Sequence, residues 1–284
     1  MRGGAADAIY VSIEDETYVA GVEPSRLQSW ERELHETYTE TKSYKALFYA
    51  ALLMSGSPKI DILVTGLPVD QFKDESFRKR LEGLMKGVHQ VSPKVSVEVA
   101  EVIVVPQPAG AYLHAVSSVD KSEIIEMFDD GRTLIIDPGF YSVDWVSFAG
   151  GEIQYDYSGT SQEAMSSLIE YASALIQNDY GFKPTTETIE KAIRNRKDYI
   201  FLSSQKVTLE PYLSRASADV AEVALTAMKR TLRKDDMNPD VVVIAGGGSH
   251  FYEQAARSVY PKAQVVVPNN PVMAIAEGYW DLGS

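Results

Sequence analysis

From Thr133 to Trp145 the chain reads TLIIDPGFYSVDW: an apolar run, then Asp-Pro-Gly, then a return to apolar residues. This pattern predicts a buried strand that turns sharply into a second strand, with a carboxylate and a glycine at the turn. Asp137 and Gly139 are therefore candidates to face a ligand. A carboxylate can hold the water shell of Mg²⁺, which keeps several waters and takes few protein ligands, and a glycine lets the backbone approach a phosphate. Asp, Pro and Gly are also the ordinary turn residues, so a plain hairpin is the competing reading.

A second run has the same grammar. Val241 to Ile244 is β-branched throughout and leads straight into Ala245-Gly246-Gly247-Gly248-Ser249, ahead of a helical stretch from His250 to Val259. Three glycines between a strand and a helix admit a phosphate or ribose, and the helix N-terminus adds a favourable dipole. Tight packing of strand on helix is the alternative. His250 sits beside this loop, whereas His35, His89 and His114 are scattered without metal-ligand spacing.

The rest of the chain alternates helix, strand and loop, which predicts an α/β class. Ala8 to Tyr18 reads as a hairpin turning near Glu14 to Glu16, and Tyr44 to Met54 as a largely buried helix. Ile60 to Gly66 follows as a buried strand, Leu67 to Gln71 as a polar loop, and Asp74 to Lys86 as a helix. Val95 to Val105 alternates cleanly as strand; Pro106 to Gly110 reads as a loop and Ala111 to Val116 as a short helix. After the Asp137 turn, Val146 to Tyr157 supplies more strand about Gly150-Gly151. A helix over Gln162 to Asn178 is expected to take its N-cap from Ser158 to Ser161. Further helices are expected at Thr186 to Asn195, Ser214 to Arg233 and Val272 to Trp280, with a last strand at Gln264 to Val267.

Charge narrows the partners. A net charge of -13 repels polyanions, so direct binding to nucleic acid or to an anionic membrane is not expected. The basic residues Lys191, Arg194, Arg196 and Lys197 are interleaved with Glu190 and Asp198, as on a solvated helix face. No apolar run is long enough to span a bilayer, and the absence of cysteine excludes disulfides and thiolate metal sites, in keeping with a cytoplasmic setting. The P-loop, the G-x-G-x-x-G fingerprint, the nucleophile elbow and the zincin motif are all missing.

The segments VVPQPAGAYL, IIDPGFYSVDW and VVVIAGGGSHF, in this order, resemble the first connecting segment, second phosphate loop and adenosine loop of the actin-like ATPase superfamily. That superfamily also includes sugar kinases and heat-shock chaperones. With LVTGLPVDQF and the tail PNNPVMAIAEGYWDLG, the chain from Ile60 onward is most similar to ParM-type plasmid-segregation proteins. The resemblance implies an actin-like α/β fold of two ribonuclease-H-like domains flanking a nucleotide cleft. Domain I would be residues 1–132, with the C-terminal helix 272–284 packing back on it. Domain II would be 133–271, with a small insertion at about 161–213.

It further implies ATP or GTP with Mg²⁺, hydrolysis coupled to self-association into filaments or dimers, and a DNA-binding adaptor as the route to plasmid. Asp137 would order the Mg²⁺ hydration shell, and Gly139, Phe140, Tyr141 and Ser142 would contact phosphates. Gly246, Gly247, Gly248 and Ser249 would line the adenosine, and Gln107 would orient the attacking water. For Gln107, a hydrogen-bonding loop residue between two prolines is an equal reading. No Asp-x-Gly turn precedes Ile60, so the resemblance implies a first domain lacking its first phosphate hairpin, with sheet edges that a second chain would cover. Two other functions fit the same superfamily: a small-molecule kinase of the sugar type, with Asp144 or Asp156 as base, and a non-catalytic adaptor.

Overall fold

The computed structural model describes residues 8–23, 27, 35–118, 122–162, 164–232 and 238–284. The chain divides into two compact units, residues 1–65 with 75–104, and residues 66–74 with 105–284.

In the first unit, β1 (Ile9–Ile13) and β2 (Glu16–Ala20) form an antiparallel hairpin whose turn holds Glu14 at φ 55°. Helix α1 (Lys42–Ser55) starts where the Thr41 hydroxyl accepts from the Tyr44 amide at 3.1 Å and stops at Gly56 in the left-handed region. That pairing of a hydroxyl N-cap with a glycine C-cap satisfies backbone groups the helix leaves open. It buries Ala46, Phe48, Tyr49, Ala50 and Leu52. The sheet of this unit runs β3 (Lys59–Leu67), β5 (Val95–Pro106), β4 (Gly87–Ser92), with β4 antiparallel to β5. On β5 the alternation is real: Val97 and Val99 are buried, while Ser96 and Glu98 are exposed. The expectation of a buried strand at Ile60 to Gly66 is corrected, because β3 is exposed or half-buried until its last two residues. Helix α3 (Glu75–Met85) also belongs here.

The second unit is built on a five-stranded mixed sheet. β6 (Arg132–Pro138), β7 (Val143–Ala149) and β8 (Glu152–Ser161) form an antiparallel meander. β11 (Val241–Ile244) lies parallel to β6 on its other side, and β12 (Gln264–Val266) parallel to β11. Before these last two come a two-stranded antiparallel ribbon, β9 (Tyr199–Leu202) and β10 (Gln205–Thr208).

Both faces of the large sheet are covered, which is why its central strands read as unbroken apolar runs rather than alternating ones. Leu134, Ile136, Val143, Trp145, Val242 and Ile244 face one way, into a core shared with α6 (Met165–Tyr180), α7 (Thr186–Arg194), α8 (Glu210–Leu232) and α9 (Ser249–Val259). Ile135, Val146, Phe148, Val241 and Val243 face the other way, onto α4 (Gln107–Ser118) and α5 (Ser122–Asp130), with Ala274 of α10 (Ala274–Gly283) in the same core. Tyr112 of α4 stacks on Phe148, with ring centroids 3.9 Å apart. Gly159 faces Trp145 because a Cβ there would lie 2.7 Å from the indole.

Three local expectations are corrected. Leu67 to Gln71 is no open loop: α2 (Val69–Lys73) starts directly after Pro68. Pro106 to Gly110 is no loop either, since α4 begins at Gln107, with Pro108 in a first turn where a missing N–H costs little. Ser158 to Ser161 lies in β8, and the following helix starts at Met165 without a side-chain cap. Its first amides are met otherwise: Met165 N–H donates to Gly139 C=O at 3.2 Å and Ser166 N–H to Phe140 C=O at 2.9 Å. The strand, turn and strand at Thr133 to Trp145 and the strand and glycine loop at Val241 to Gly248 are as expected. The expected end of a helix at Arg233 lies outside the described residues. No described helix is long and apolar enough to cross a membrane.

Candidate functional site

Parallel pairing of β6 with β11, in the register Ile136 to Ile244, puts the two loops that follow these strands side by side. Carboxyl ends of adjacent parallel strands are where open α/β sheets hold ligands. Backbone bonds fix the juxtaposition: Ala245 N–H donates to Ile136 C=O at 2.9 Å, Gly248 N–H to Pro138 C=O at 2.9 Å, and Gly246 N–H to Pro271 C=O at 2.8 Å.

The three glycines differ in what they do. Gly246 sits at φ 82°, and a Cβ on it would fall 2.1 Å from Asp137 Oδ1. A Cβ on Gly248 would fall 2.7 Å from Pro138 C=O. Gly247 is exposed, with nothing within 4 Å of its Cβ position. Two glycines thus let the loops touch and the middle one faces open space. Ser249 is buried at the start of α9, and His250 is exposed with its ring edge-on to Phe251.

On the other loop, Gly139 N–H donates to Ser142 C=O at 2.9 Å, closing the turn that holds Phe140 and an exposed Tyr141. Gln107 is placed at the N-terminus of α4, half-buried. Its carbonyl accepts from Tyr279 Oη at 3.4 Å, and its Cγ lies 3.0 Å from the Cβ position of Gly66.

Two carboxylates face each other across the hairpin, in the register Asp137 to Asp144, and the fold treats them oppositely. Asp144, 2% exposed, accepts from Thr160 Oγ1 at 2.6 Å, Val69 N–H at 2.8 Å and Ser142 Oγ at 2.7 Å. Burial pushes its pKa up, and these three donors pull it down. Asp137 is 8% exposed, and no hydrogen-bond donor among the described residues reaches its carboxylate. Burial first, and then the charge of Asp144, lift the Asp137 carboxyl to about 7. A buried anion left without donors is costly unless a cation compensates it. Among the described residues no cluster of three metal-ligating side chains exists. A single free carboxylate of this kind fits Mg²⁺ held through its own waters rather than a direct protein cage.

This asymmetry sets a pH dependence. Native Asp137 holds its proton more tightly than the unfolded chain, so its contribution to stability is full below the unfolded pKa of about 4 and is lost as pH rises to about 7. Relative to Asp137→Asn, the ligand-free wild type is expected to lose about 2 to 3 kcal/mol between pH 5 and pH 8. Urea denaturation of both proteins at the two pH values measures the difference. Parallel pH profiles would show that Asp137 is not protonated by its surroundings.

The Asp144 donors were not legible in sequence. Thr160 is 16 residues away and Val69 is 75. The only local sign was Pro68 ahead of Val-Asp-Gln-Phe, a proline at the start of a helical turn.

Residues 1–110 match the model for the N-terminal domain of actin-like proteins, and residues 135–257 match that for the C-terminal part of the archaeal actin homologue MreB-like family. No curated protein matches the chain. Among solved structures, a non-polymerisable quadruple mutant of pCBH ParM is 19% identical, covers 98% of this chain and 86% of its own, and superposes with a TM-score of 0.75. The archaeal actin homologue Ta0583 is 18% identical over 99% of this chain and 87% of its own, with a TM-score of 0.78. Its complex with ADP is also similar, at 19% identity, TM-score 0.70, and coverage of 86% and 78%. A subunit of a 15-stranded ParM filament from Clostridium botulinum is 19% identical, with a TM-score of 0.66 over 88% of this chain and 75% of its own. The paired loops on a mixed sheet and these superpositions show an actin-like fold, with the N-terminal part of the chain similar to actin-like proteins and the C-terminal part to archaeal MreB-like actin homologues.

Proposed function

We propose that this protein is a nucleotide-dependent, self-associating actin-like protein that binds and hydrolyses ATP with Mg²⁺ and serves plasmid partition. The observation that carries this reading is Asp137: a buried carboxylate that meets no donor among the described residues, pressed against a glycine loop at the ends of two parallel strands. Bound Mg²⁺ would supply charge neutralisation on the phosphates, and phosphoryl transfer needs positioning and neutralisation more than a covalent nucleophile. In this reading Asp137 holds the metal's water shell, Gly139 to Ser142 approach the phosphates, Gly247 and its neighbours accept the nucleoside, and Gln107 orients the attacking water.

The ADP complex of the archaeal homologue supports nucleotide as the ligand, and the ParM filament supports self-association. A net charge of -13 favours a DNA-binding adaptor over direct contact with DNA. Little supports a sugar-type kinase: Asp144 is held by three donors and Asp156 is exposed on β8, so neither is poised as a base.

Sedimentation tests the reading. The protein should pellet with ATP and Mg²⁺ and stay in the supernatant when EDTA removes the metal. Equal recovery in the supernatant under both conditions would contradict it.

A further inference from the structure

The segment from Gly66 to Lys73 is tied along its length to the candidate site. At one end, Gly66 has no room for a side chain: its Cβ position lies 3.0 Å from Gln107 Cγ, and the hydroxyl of Tyr279 crowds the same space. In the middle, Val69 is fully buried in the core shared with Ala109 of α4 and Ile135 of β6. Its amide donates to Asp144 Oδ1 at 2.8 Å, and the next amide, of Asp70, donates to Thr160 Oγ1 at 3.3 Å. Further on, Phe72 stacks on Tyr155, with ring centroids 6.0 Å apart and planes 14° from parallel, and Lys73 Nζ donates to Ser158 C=O at 2.6 Å. The second carboxylate oxygen of Asp144 accepts from Ser142, the residue that closes the Asp137 turn.

Asp144 therefore joins this strap to the turn, bonded to Val69 on one side and to Ser142 on the other. We infer that Asp144 is a positioning residue: through Val69 on one side and Ser142 on the other it holds the strap, and with it Gln107, in fixed register with the Asp137 turn. The inference rests on the nucleotide site proposed above and adds what sets its geometry. Asp144 acts as an acceptor here, because all three of its bonds come from donors that stay neutral. An asparagine could keep the Oδ1 acceptor for Val69 and Thr160 and donate to the Ser142 hydroxyl.

The test compares Asp144→Ala with Asp144→Asn in the full chain. Alanine leaves a buried backbone amide and two hydroxyls without their partner, so exchange of the Val69 and Asp70 amides should speed up at least about tenfold. Because a small misplacement of reacting groups is costly, kcat for ATP hydrolysis should fall roughly ten- to hundredfold while KM stays within about threefold. Asparagine should restore both readouts most of the way.

Unchanged exchange at Val69 and Asp70 in the alanine variant would overturn the inference. So would an asparagine variant as impaired as alanine, which would make the charge, not the acceptor, the working feature. If the wild type hydrolyses no ATP, the proposed function fails, and amide exchange still decides whether Asp144 holds the strap. Should Asp144→Ala fail to fold, Thr160→Val removes one of the three donors and carries the same comparison.

Discussion

Asp137→Ala is expected to reduce Mg²⁺-dependent ATP turnover by roughly a hundredfold or more, the scale on which removing one preorganised charge-stabilising group acts. The same substitution should leave the apo fold at least as stable at pH 8 as the wild type. Both expectations follow from one feature, the lack among the described residues of any hydrogen-bond donor to a carboxylate that is nearly buried. At alkaline pH that carboxylate is charged in a desolvated setting, beside the second carboxylate of Asp144, and removing it relieves the fold. A carboxylate kept for structure would behave the other way, as Asp144 should, because its loss strands three donors. Steady-state phosphate release and urea denaturation on the same preparation separate the two. Unchanged turnover would remove Asp137 from the mechanism, and a large loss of stability at pH 8 would show that a partner compensates it in the folded chain.

Gly246→Ala is expected to destabilise the protein by about 2 to 5 kcal/mol and to weaken nucleotide binding with it. A residue with a Cβ at φ 82° carries roughly 1 to 2 kcal/mol of left-handed strain. The new methyl must also displace the Asp137 carboxylate, 2.1 Å from the Cβ position, with overpacking of a tight site costing about 1 to 3 kcal/mol. Gly248→Ala meets the Pro138 carbonyl instead and should be destabilising too, since backbone cannot yield as a side chain does. Gly247→Ala should leave stability within about 0.5 kcal/mol, as ordinary exposed substitutions do, and act on nucleotide affinity alone. A double-mutant cycle of Gly246→Ala with Asp137→Ala should recover part of the loss, because the two groups share one space. Additive effects would mean the loops are not in contact in solution.

In sequence Gly246, Gly247 and Gly248 were one feature; only the packing of their loop on Asp137 and Pro138 separates two that permit contact from one that faces outward. The strands were legible for a physical reason. LII and VVVI are buried on both faces, and their shortness, their β-branched residues and the Pro-Gly and Gly-Gly-Gly that follow them mark strand rather than buried helix. That their loops meet was not legible, since it depends on β11 pairing parallel to β6 across more than a hundred residues of chain. Short helical turns begun by a proline or by strand-end polar residues, α2 and the first turn of α4, look like loops in sequence because a single turn has no periodicity to detect. The start of α6 carries no sequence signal because its amides are met by the carbonyls of Gly139 and Phe140, not by a hydroxyl in its own sequence. Residue type alone offers Asp144 as a base, whereas the donors that hold it are assembled only by the fold.

The central claim is that the two loops form a Mg²⁺-nucleotide site, and calorimetric titration of the full chain with ATP in the presence of Mg²⁺ tests it most directly. Saturable binding, lost in EDTA and in Asp137→Ala, is the result expected. No heat and no shift in thermal unfolding at millimolar nucleotide would contradict it.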